Sequence, residues 1–382
     1  MSNKRPACYA PWMTTYEYPQ KIVPCCEWKH NGGRYIGTEE HMSFDDRFNH
    51  PIMKDIKEEM MSGILPPECK NCVKIEENTN QVSLRQQYNG IVKKTERLTD
   101  YKFNEDEFKL INMDYRESNL CNFSCMMCGY PLSSVHAQIA GKYGKTGIKK
   151  NPHNLQMYLD SLDDVQMLNF LGGEPLLTES MWTTIKEVKR RGLEGQINLS
   201  IVTNGSLLHK KEDVLIELLD GFNNIDISIS IDCIGDQHNF WRAKNTWHIV
   251  EANCKELYKW KQGRNNVNCA IRTAIGWPNS YAARDVFDLF KDHEDITNGW
   301  NLIIGPIGLS LPMLPQEELE KLAEHWKDYP DVSEMFANTV SSPNVFQMQI
   351  QRKQIENLEK LRDIKFKDAF PEMAHIYNKL NN

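Results

Sequence analysis

Cysteine usage is the chemical signature of this 382-residue chain: 11 cysteines, eight of them within the first 128 residues. Three stand together in the run Cys121-Asn122-Phe123-Ser124-Cys125-Met126-Met127-Cys128-Gly129. Thiolates are the usual ligands of iron–sulfur clusters, and three of them on a four-iron cluster leave one iron open to bind and activate another molecule. Structural zinc sites close four ligands, in paired spacings, whereas this run supplies three. Spacing alone leaves a cluster, a zinc knuckle and buried thiols all open. A second set comprises Cys8, the adjacent Cys25 and Cys26, and the pair Cys69 and Cys72, with Pro11-Trp12 and Pro24 nearby. Four of these thiolates suit either one more cluster or a zinc ion. In a reducing compartment such clustering points to metal rather than to disulfides.

The hydrophobic pattern indicates how these residues are positioned. From about residue 108, apolar strands at 108–115, 165–171, 197–203, 225–231, 267–275 and 300–305 alternate with helical stretches. The helices are one or two within 133–162, then 181–191, 211–219, 246–261 and 282–293. Such alternation predicts parallel strands with right-handed crossovers. Six units make a partial (β/α)6 barrel of the α/β class, with functional residues in the loops after the strands. The first hundred residues read as a small, loop-rich, cysteine-rich unit with little core of its own. It holds turns at Asn31-Gly32-Gly33 and Pro66-Pro67 and one helix over 45–61. Helices over 316–327, 347–365 and 370–377 end the chain. The implied domains are 1–100, 101–310 and 311–382.

The cysteine run lies directly after the first strand. After the second comes Leu171-Gly172-Gly173-Glu174-Pro175, and after the third Thr203-Asn204-Gly205. The fourth ends in Ser228-Ile229-Ser230-Ile231-Asp232, followed by His238 and Arg242, and the fifth leads to Trp277-Pro278-Asn279. Four features in this order on successive strands resemble the radical S-adenosylmethionine (SAM) superfamily. Met127 stands where its members usually carry an aromatic residue. The resemblance implies that Cys121, Cys125 and Cys128 hold a [4Fe-4S] cluster. It implies that Gly172, Gly173 and Glu174 contact the amino group of S-adenosylmethionine, which glycine's close approach and a carboxylate–ammonium pair would suit. Ser230, Asn204 and Asp232 would serve the ribose, and Arg242 the carboxylate. Reductive cleavage of the sulfonium would then release a 5′-deoxyadenosyl radical that abstracts hydrogen from a substrate.

The early cysteines resemble the SPASM/twitch auxiliary-cluster module of radical enzymes, which in most relatives follows the barrel rather than preceding it. Five cysteines suit a twitch-like unit with one auxiliary [4Fe-4S] cluster, on Cys8, Cys25 or Cys26, Cys69 and Cys72. Relatives of this layout modify peptides or proteins by crosslinking, epimerisation or oxidation. A small-molecule dehydrogenase acting on a sugar alcohol is the alternative, and an iron–sulfur storage or sensor protein is an alternative of another class. The resemblance also implies a flavodoxin- or ferredoxin-like reductant. A phenylalanine–proline–glutamate tail, Phe370-Pro371-Glu372, with Asp363 before it, is similar to the tail of such relatives.

Other candidates are weaker. Cys233, directly after the fourth strand, would face the barrel mouth as a hydrogen-atom donor or else be a small buried hydrophobe. Tyr130, His238 and Arg272 are candidates for lining the cavity, and Cys254 and Cys269 read as core. A formal net charge of -7 argues against a general grip on nucleic acid. No apolar run reaches membrane-spanning length, and the first residues lack a secretory pattern, so a cytoplasmic protein is expected.

Overall fold

The structure, a computed structural model, describes residues 5–18, 21–28, 33–37, 42–78, 81–141, 154–293 and 295–379. Its centre is one sheet of six parallel strands: β1 (Asn112–Tyr115), β2 (Met167–Phe170), β3 (Asn198–Thr203), β4 (Asn224–Ser230), β5 (Val267–Ile275) and β6 (Ile296–Leu302). Their spatial order is their chain order, with β1 and β6 at the two edges, so the barrel is partial. The register aligns Asn112 with Met167, Asn198 with Asn224, and Cys269 with Ile296.

Parallel strands in closed barrels are usually apolar on both faces. Here they alternate. Leu199 and Ile201 of β3 and Ile225, Ile227 and Ile229 of β4 are buried with the helices, among them Glu179–Arg191 and Trp247–Lys261. The opposite face carries Asn169, Ser200, Ser228 and Ser230, all half-buried, and the exposed Asp226 and Arg272. Alternating burial on β3 and β4 thus leaves a polar, accessible inner face.

Strand limits moved where pairing partners ran out. The first strand begins at Asn112, not 108, because Lys109 and Ile111 donate instead to Trp12 O and Met13 O (3.0 and 3.1 Å). The sixth ends at Leu302, opposite Ile275, the last residue of β5. The expected helix over 211–219 shrinks to Leu215–Leu218, because His209–Lys210 and Asp213–Val214 form a tight hairpin with Lys211 at φ 57°. Of the helical stretch within 133–162, Ser134–Gly141 and Leu155–Asp160 form, and 142–153 lies outside the described residues.

The N-terminal unit corrects the expectation of loops with little core. A three-stranded antiparallel sheet, Tyr16–Tyr18, Lys21–Val23 and Ile36–Gly37, is followed by helices Phe44–Asn49, Pro51–Met61, Lys70–Asn78 and Leu84–Leu98. Tyr9, Trp12, Met13, Val23, Trp28, Phe48, Ile56, Met60, Tyr88 and Val92 form its core. The helix expected over 45–61 breaks at His50, which is extended because Pro51 disfavours the helical region for the residue before it. A capping box, Ser83 with Gln86, starts the unexpected helix Leu84–Leu98. Part of the turn at Asn31-Gly32 lies outside the described residues. Glu17 ties this unit to the barrel, accepting from Arg47 Nη1 (2.5 Å) and from the hydroxyl of Tyr158 (3.0 Å).

The C-terminal helices have no separate core. Leu319, Leu322, Trp326, Phe336, Leu358, Phe366 and Phe370 share one with Ile275, Phe240, Trp241 and Trp277 of the barrel. We label one of them αC, Val345–Arg362. No helix among the described residues is long and apolar enough to cross a membrane.

Candidate radical SAM site

The cysteine run leaves β1 as an irregular loop, and an irregular buried loop must find partners for its backbone groups elsewhere. Helix Ser134–Gly141 supplies several. The Ser134 hydroxyl accepts from Cys121 N (3.1 Å) and donates to Cys121 O (3.1 Å), and the Ser133 hydroxyl donates to Phe123 O (2.8 Å). His136 Nε2 lies 2.8 Å from Cys125 O. Met126 N donates to Trp241 O (2.8 Å). From αC, Gln354 Nε2 donates to Met126 O (2.8 Å) and Arg362 Nη2 to Ser124 O (2.5 Å).

The three thiols share this loop, near enough to act on one another electrostatically. Burial pushes Cys121 up to about 12 and Cys128 up to about 11, with Cys125 raised as well, and proximity to one another adds to the shifts of Cys121 and Cys128. Phe123 N donates to Cys121 Sγ at 3.4 Å. Left to themselves these groups are neutral thiols, so metal binding must displace their protons. Among the described residues, no three His, Cys, Asp or Glu side chains converge on a single-ion position. A zinc ion would need the sulfurs about 2.3 Å from one point.

Two buried arginines flank Cys125. Arg242 pairs with Asp232 (Nη2 to Oδ2, 2.7 Å), and its Nη1 lies 3.9 Å from Cys125 Sγ. Asp232, fully buried, also accepts from Trp241 Nε1 (2.8 Å) and Ala274 N (2.7 Å), so its carboxylate is committed to the protein. Arg362 differs: its Nη2 donates to carbonyls and a hydroxyl, its Nε and Nη1 have no partner, and no carboxylate pairs with it among the described residues. It is 1% exposed. Burial pulls its pKa down to about 10, and Cys125 acts to raise it. A desolvated cation without an anion is costly, so an anionic cluster on Cys125 fits the missing counter-charge.

The glycine loop sits against the cysteine loop. Glu174 N donates to Leu120 O at 2.7 Å, and a Cβ on Gly173 would run into the Leu120 carbonyl. Gly172 has φ 134°, open only to glycine. Glu174 is fully buried and accepts from Leu176 N (3.2 Å), the Thr203 hydroxyl (2.8 Å) and Asn204 N (2.7 Å). Its carboxylate therefore links the loops after β2 and β3. The Asn204 amide donates to Asn122 Oδ1 (2.8 Å) and accepts from Ser206 N and Oγ (2.9 and 2.6 Å), connecting the same loops to the cysteine run. Ser230 ends β4 half-buried.

Burial pushes the Glu174 carboxyl up to about 7 against the pull of its donors. The folded protein keeps a proton that the unfolded chain has lost, so this group's contribution is full below about 4.5 and is lost as pH rises through 7. Melting curves of wild type and Glu174→Gln should therefore differ in pH dependence. Wild type should lose stability relative to the variant from about pH 5 to about pH 7.5, and parallel profiles would refute this.

Other candidates lie elsewhere. Cys233 is fully buried among Phe240, Trp241 and Trp277 rather than facing an open mouth. His238 is buried against Phe123 and Trp247, and burial drives it down to about 3, hence neutral. Tyr130 is half-buried, with its carbonyl accepting from Asn119 Nδ2 (3.2 Å). Arg272 is exposed and lies over Gly299. Cys254 and Cys269 are packed in the main core. Asp363 caps αC with φ 56°, and Phe370 packs against Phe240 and Trp241. Arg362, Gln354, Asn122 and Ser134 escaped the sequence reading. Only contact across as many as 238 residues reveals Arg362, and no motif marks it.

The N-terminal cysteines separate. Cys8, Cys25, Cys69 and Cys72 line one apolar pocket with Trp28, Met60, Leu84 and Tyr88. Cys26 is not among its walls. Burial raises Cys26 to about 11, and the negative charge of Asp114 on β1 adds to the shift. Burial lifts Cys8 and Cys69 to about 12.

Residues 117–276 match the family described as the Radical SAM superfamily. The chain carries a Radical SAM superfamily domain. The matched span begins just after β1 and ends just after β5, so the domain encloses the cysteine, glycine, Asn204, Asp232 and Arg242 segments. A curated relative is the radical SAM cyclopropyl synthase TigE of Paramaledivibacter caminithermalis, 27% identical over 212 residues. The match covers 52% of this chain but 40% of that protein's length. Among solved structures, native anSMEcpe with bound AdoMet and Kp18Cys peptide is similar with a TM-score of 0.41 and 19% identity, covering 63% of this chain and 65% of that one. Streptococcus suis SuiB bound to S-adenosylmethionine is similar with a TM-score of 0.34 and 14% identity, covering 85% and 69%.

Proposed function

We propose that this chain is a radical SAM enzyme in which Cys121, Cys125 and Cys128 hold a four-iron cluster with one iron open, and that it modifies a peptide or protein. The observation that carries this reading is the buried Arg362, without a carboxylate partner among the described residues, beside a loop of three thiols of which Cys125 is buried and Cys121 and Cys128 half-buried. When bound, the cluster and S-adenosylmethionine supply a 5′-deoxyadenosyl radical that removes a hydrogen atom from the substrate.

The chain's own residues do the positioning. Gly172 and Gly173 let their loop pack directly on the backbone before the cysteine run, which sets the loop edge for the amino end of S-adenosylmethionine, and Glu174 holds that loop against the one after β3. Arg242, fixed by Asp232, keeps a partnerless Nε–H for the carboxylate. Ser230 and the Asn122–Asn204–Ser206 network stand for the ribose. Hydroxyls and amides on the inner face, Asn169, Ser200 and Ser228, offer partners for a peptide backbone.

In the N-terminal unit, a SPASM/twitch-like auxiliary cluster is held by Cys8, Cys25, Cys69 and Cys72. Cys25 is the ligand of the adjacent pair because it shares the pocket and Cys26 does not. A flavodoxin- or ferredoxin-like protein is the reductant. The relative named a cyclopropyl synthase supports carbon–carbon bond formation among the outcomes.

Anaerobic, dithionite-reduced protein with S-adenosylmethionine should form 5′-deoxyadenosine, measured by chromatography. If a short peptide gene lies beside this one, adding that peptide should yield a product of altered mass. A loaded protein that forms no 5′-deoxyadenosine would leave the storage or sensor reading instead.

A further inference from the structure

The last turn of αC brings a charge into the cysteine loop from outside the matched domain. Arg362 lies 120 residues beyond Arg242 and 238 beyond Ser124, yet its Nη2 donates to the carbonyls of both (3.1 and 2.5 Å). Arg242 is neutralised by Asp232 at 2.7 Å. Arg362 has no such partner among the described residues, and its Nε and Nη1 are buried and unbonded. The Phe240 ring, 5.7 Å from the guanidinium carbon, closes another side. Surface lysines and arginines are screened by water, whereas this cation is not. Gln354, two turns earlier on αC, grips Met126 O at 2.8 Å without bringing charge. One helix therefore makes two contacts with one loop, one charged and one neutral.

We propose that Arg362 is a positioning residue of the cluster: its unneutralised charge raises the reduction potential of the cluster on Cys121, Cys125 and Cys128, and thereby couples the C-terminal helix to the ease of the first electron transfer. This rests on the functional reading above. The physical reason is that reduction adds negative charge where solvent is excluded, so a fixed cation favours the reduced form. The neutral neighbour Gln354 should hold the loop without affecting that equilibrium.

The test compares full-length wild type, Arg362→Gln, Arg362→Lys and Gln354→Leu, each reconstituted anaerobically and titrated electrochemically. The cluster concerned is identified by the electron paramagnetic resonance signal that S-adenosylmethionine perturbs. Arg362→Gln should need about tenfold more reducing conditions for the same reduced fraction, about 59 mV for a one-electron couple. Arg362→Lys, which keeps the charge, should stay near wild type, and Gln354→Leu should match wild type. Failure of Arg362→Gln to load iron while Arg362→Lys loads also supports the need for charge. A wild-type potential in loaded Arg362→Gln, equal shifts in Arg362→Gln and Gln354→Leu, or failure of both Arg362 variants to load would overturn it. If wild type itself takes up no cluster at the three cysteines, the functional reading falls as well.

Discussion

Replacing Cys121, Cys125 and Cys128 together with alanine should halve the iron of the reconstituted protein, from roughly eight to roughly four per chain, with sulfide falling in step. The two cysteine sets are independent. The first occupies the loop after β1, and the second lines a pocket built from the N-terminal helices and Trp28, Met60, Leu84 and Tyr88. Each set has its own core, so emptying one should leave the other's walls standing. The same count discriminates within the second set. Cys25→Ala should also fall to roughly four irons, whereas Cys26→Ala should keep roughly eight, because Cys25 lines the pocket with Cys8, Cys69 and Cys72 and Cys26 does not. Formation of 5′-deoxyadenosine should vanish in the triple variant. Full iron content in that variant, or equal losses from Cys25→Ala and Cys26→Ala, would contradict the assignment.

Gly173→Ala should be the most damaging single methyl group among the described glycines. Its Cβ would meet the Leu120 carbonyl, with the carbonyl carbons of Leu120 and Asn119 at 2.7 and 2.8 Å. Backbone on both sides cannot give way as a flexible side chain would. The loops after β1 and β2 must part, which breaks the bond from Glu174 N to Leu120 O. A cost of about 3 kcal/mol is expected, at the upper end for overpacking. Iron uptake at the first set should fail with it. Gly90→Ala is the matched control: the position lies within helix Leu84–Leu98 and an added Cβ meets nothing within 4 Å. Removing a helical glycine there should stabilise by about 0.5–1 kcal/mol. Chemical denaturation of the two variants side by side measures both. Equal stability of Gly173→Ala and wild type would refute the tight backbone contact.

The sequence by itself determined the scaffold and which residue types could do chemistry on it. Ligand spacing is local: three cysteines within eight residues stay close in almost any fold of that loop. Strand alternation is local too, and Asn198–Thr203, Asn224–Ser230 and Val267–Ile275 lie within a residue of where the pattern predicts them. What only the tertiary structure decided depends on contacts between distant segments. The adjacent Cys25 and Cys26 are indistinguishable by spacing, and they part because Cys25 lines the pocket with Cys8, Cys69 and Cys72 while Cys26 does not. Asp232 reads as a ribose contact, but Trp241, Arg242 and Ala274 claim its oxygens. Arg362 reads as an ordinary helix-ending cation, yet packing carries it into the loop of Cys125, 237 positions earlier, Ser124 O being its anchor. A one-dimensional pattern records which groups a chain owns. Which of them lose their water, and which charges are then left facing each other, is settled only when the elements pack.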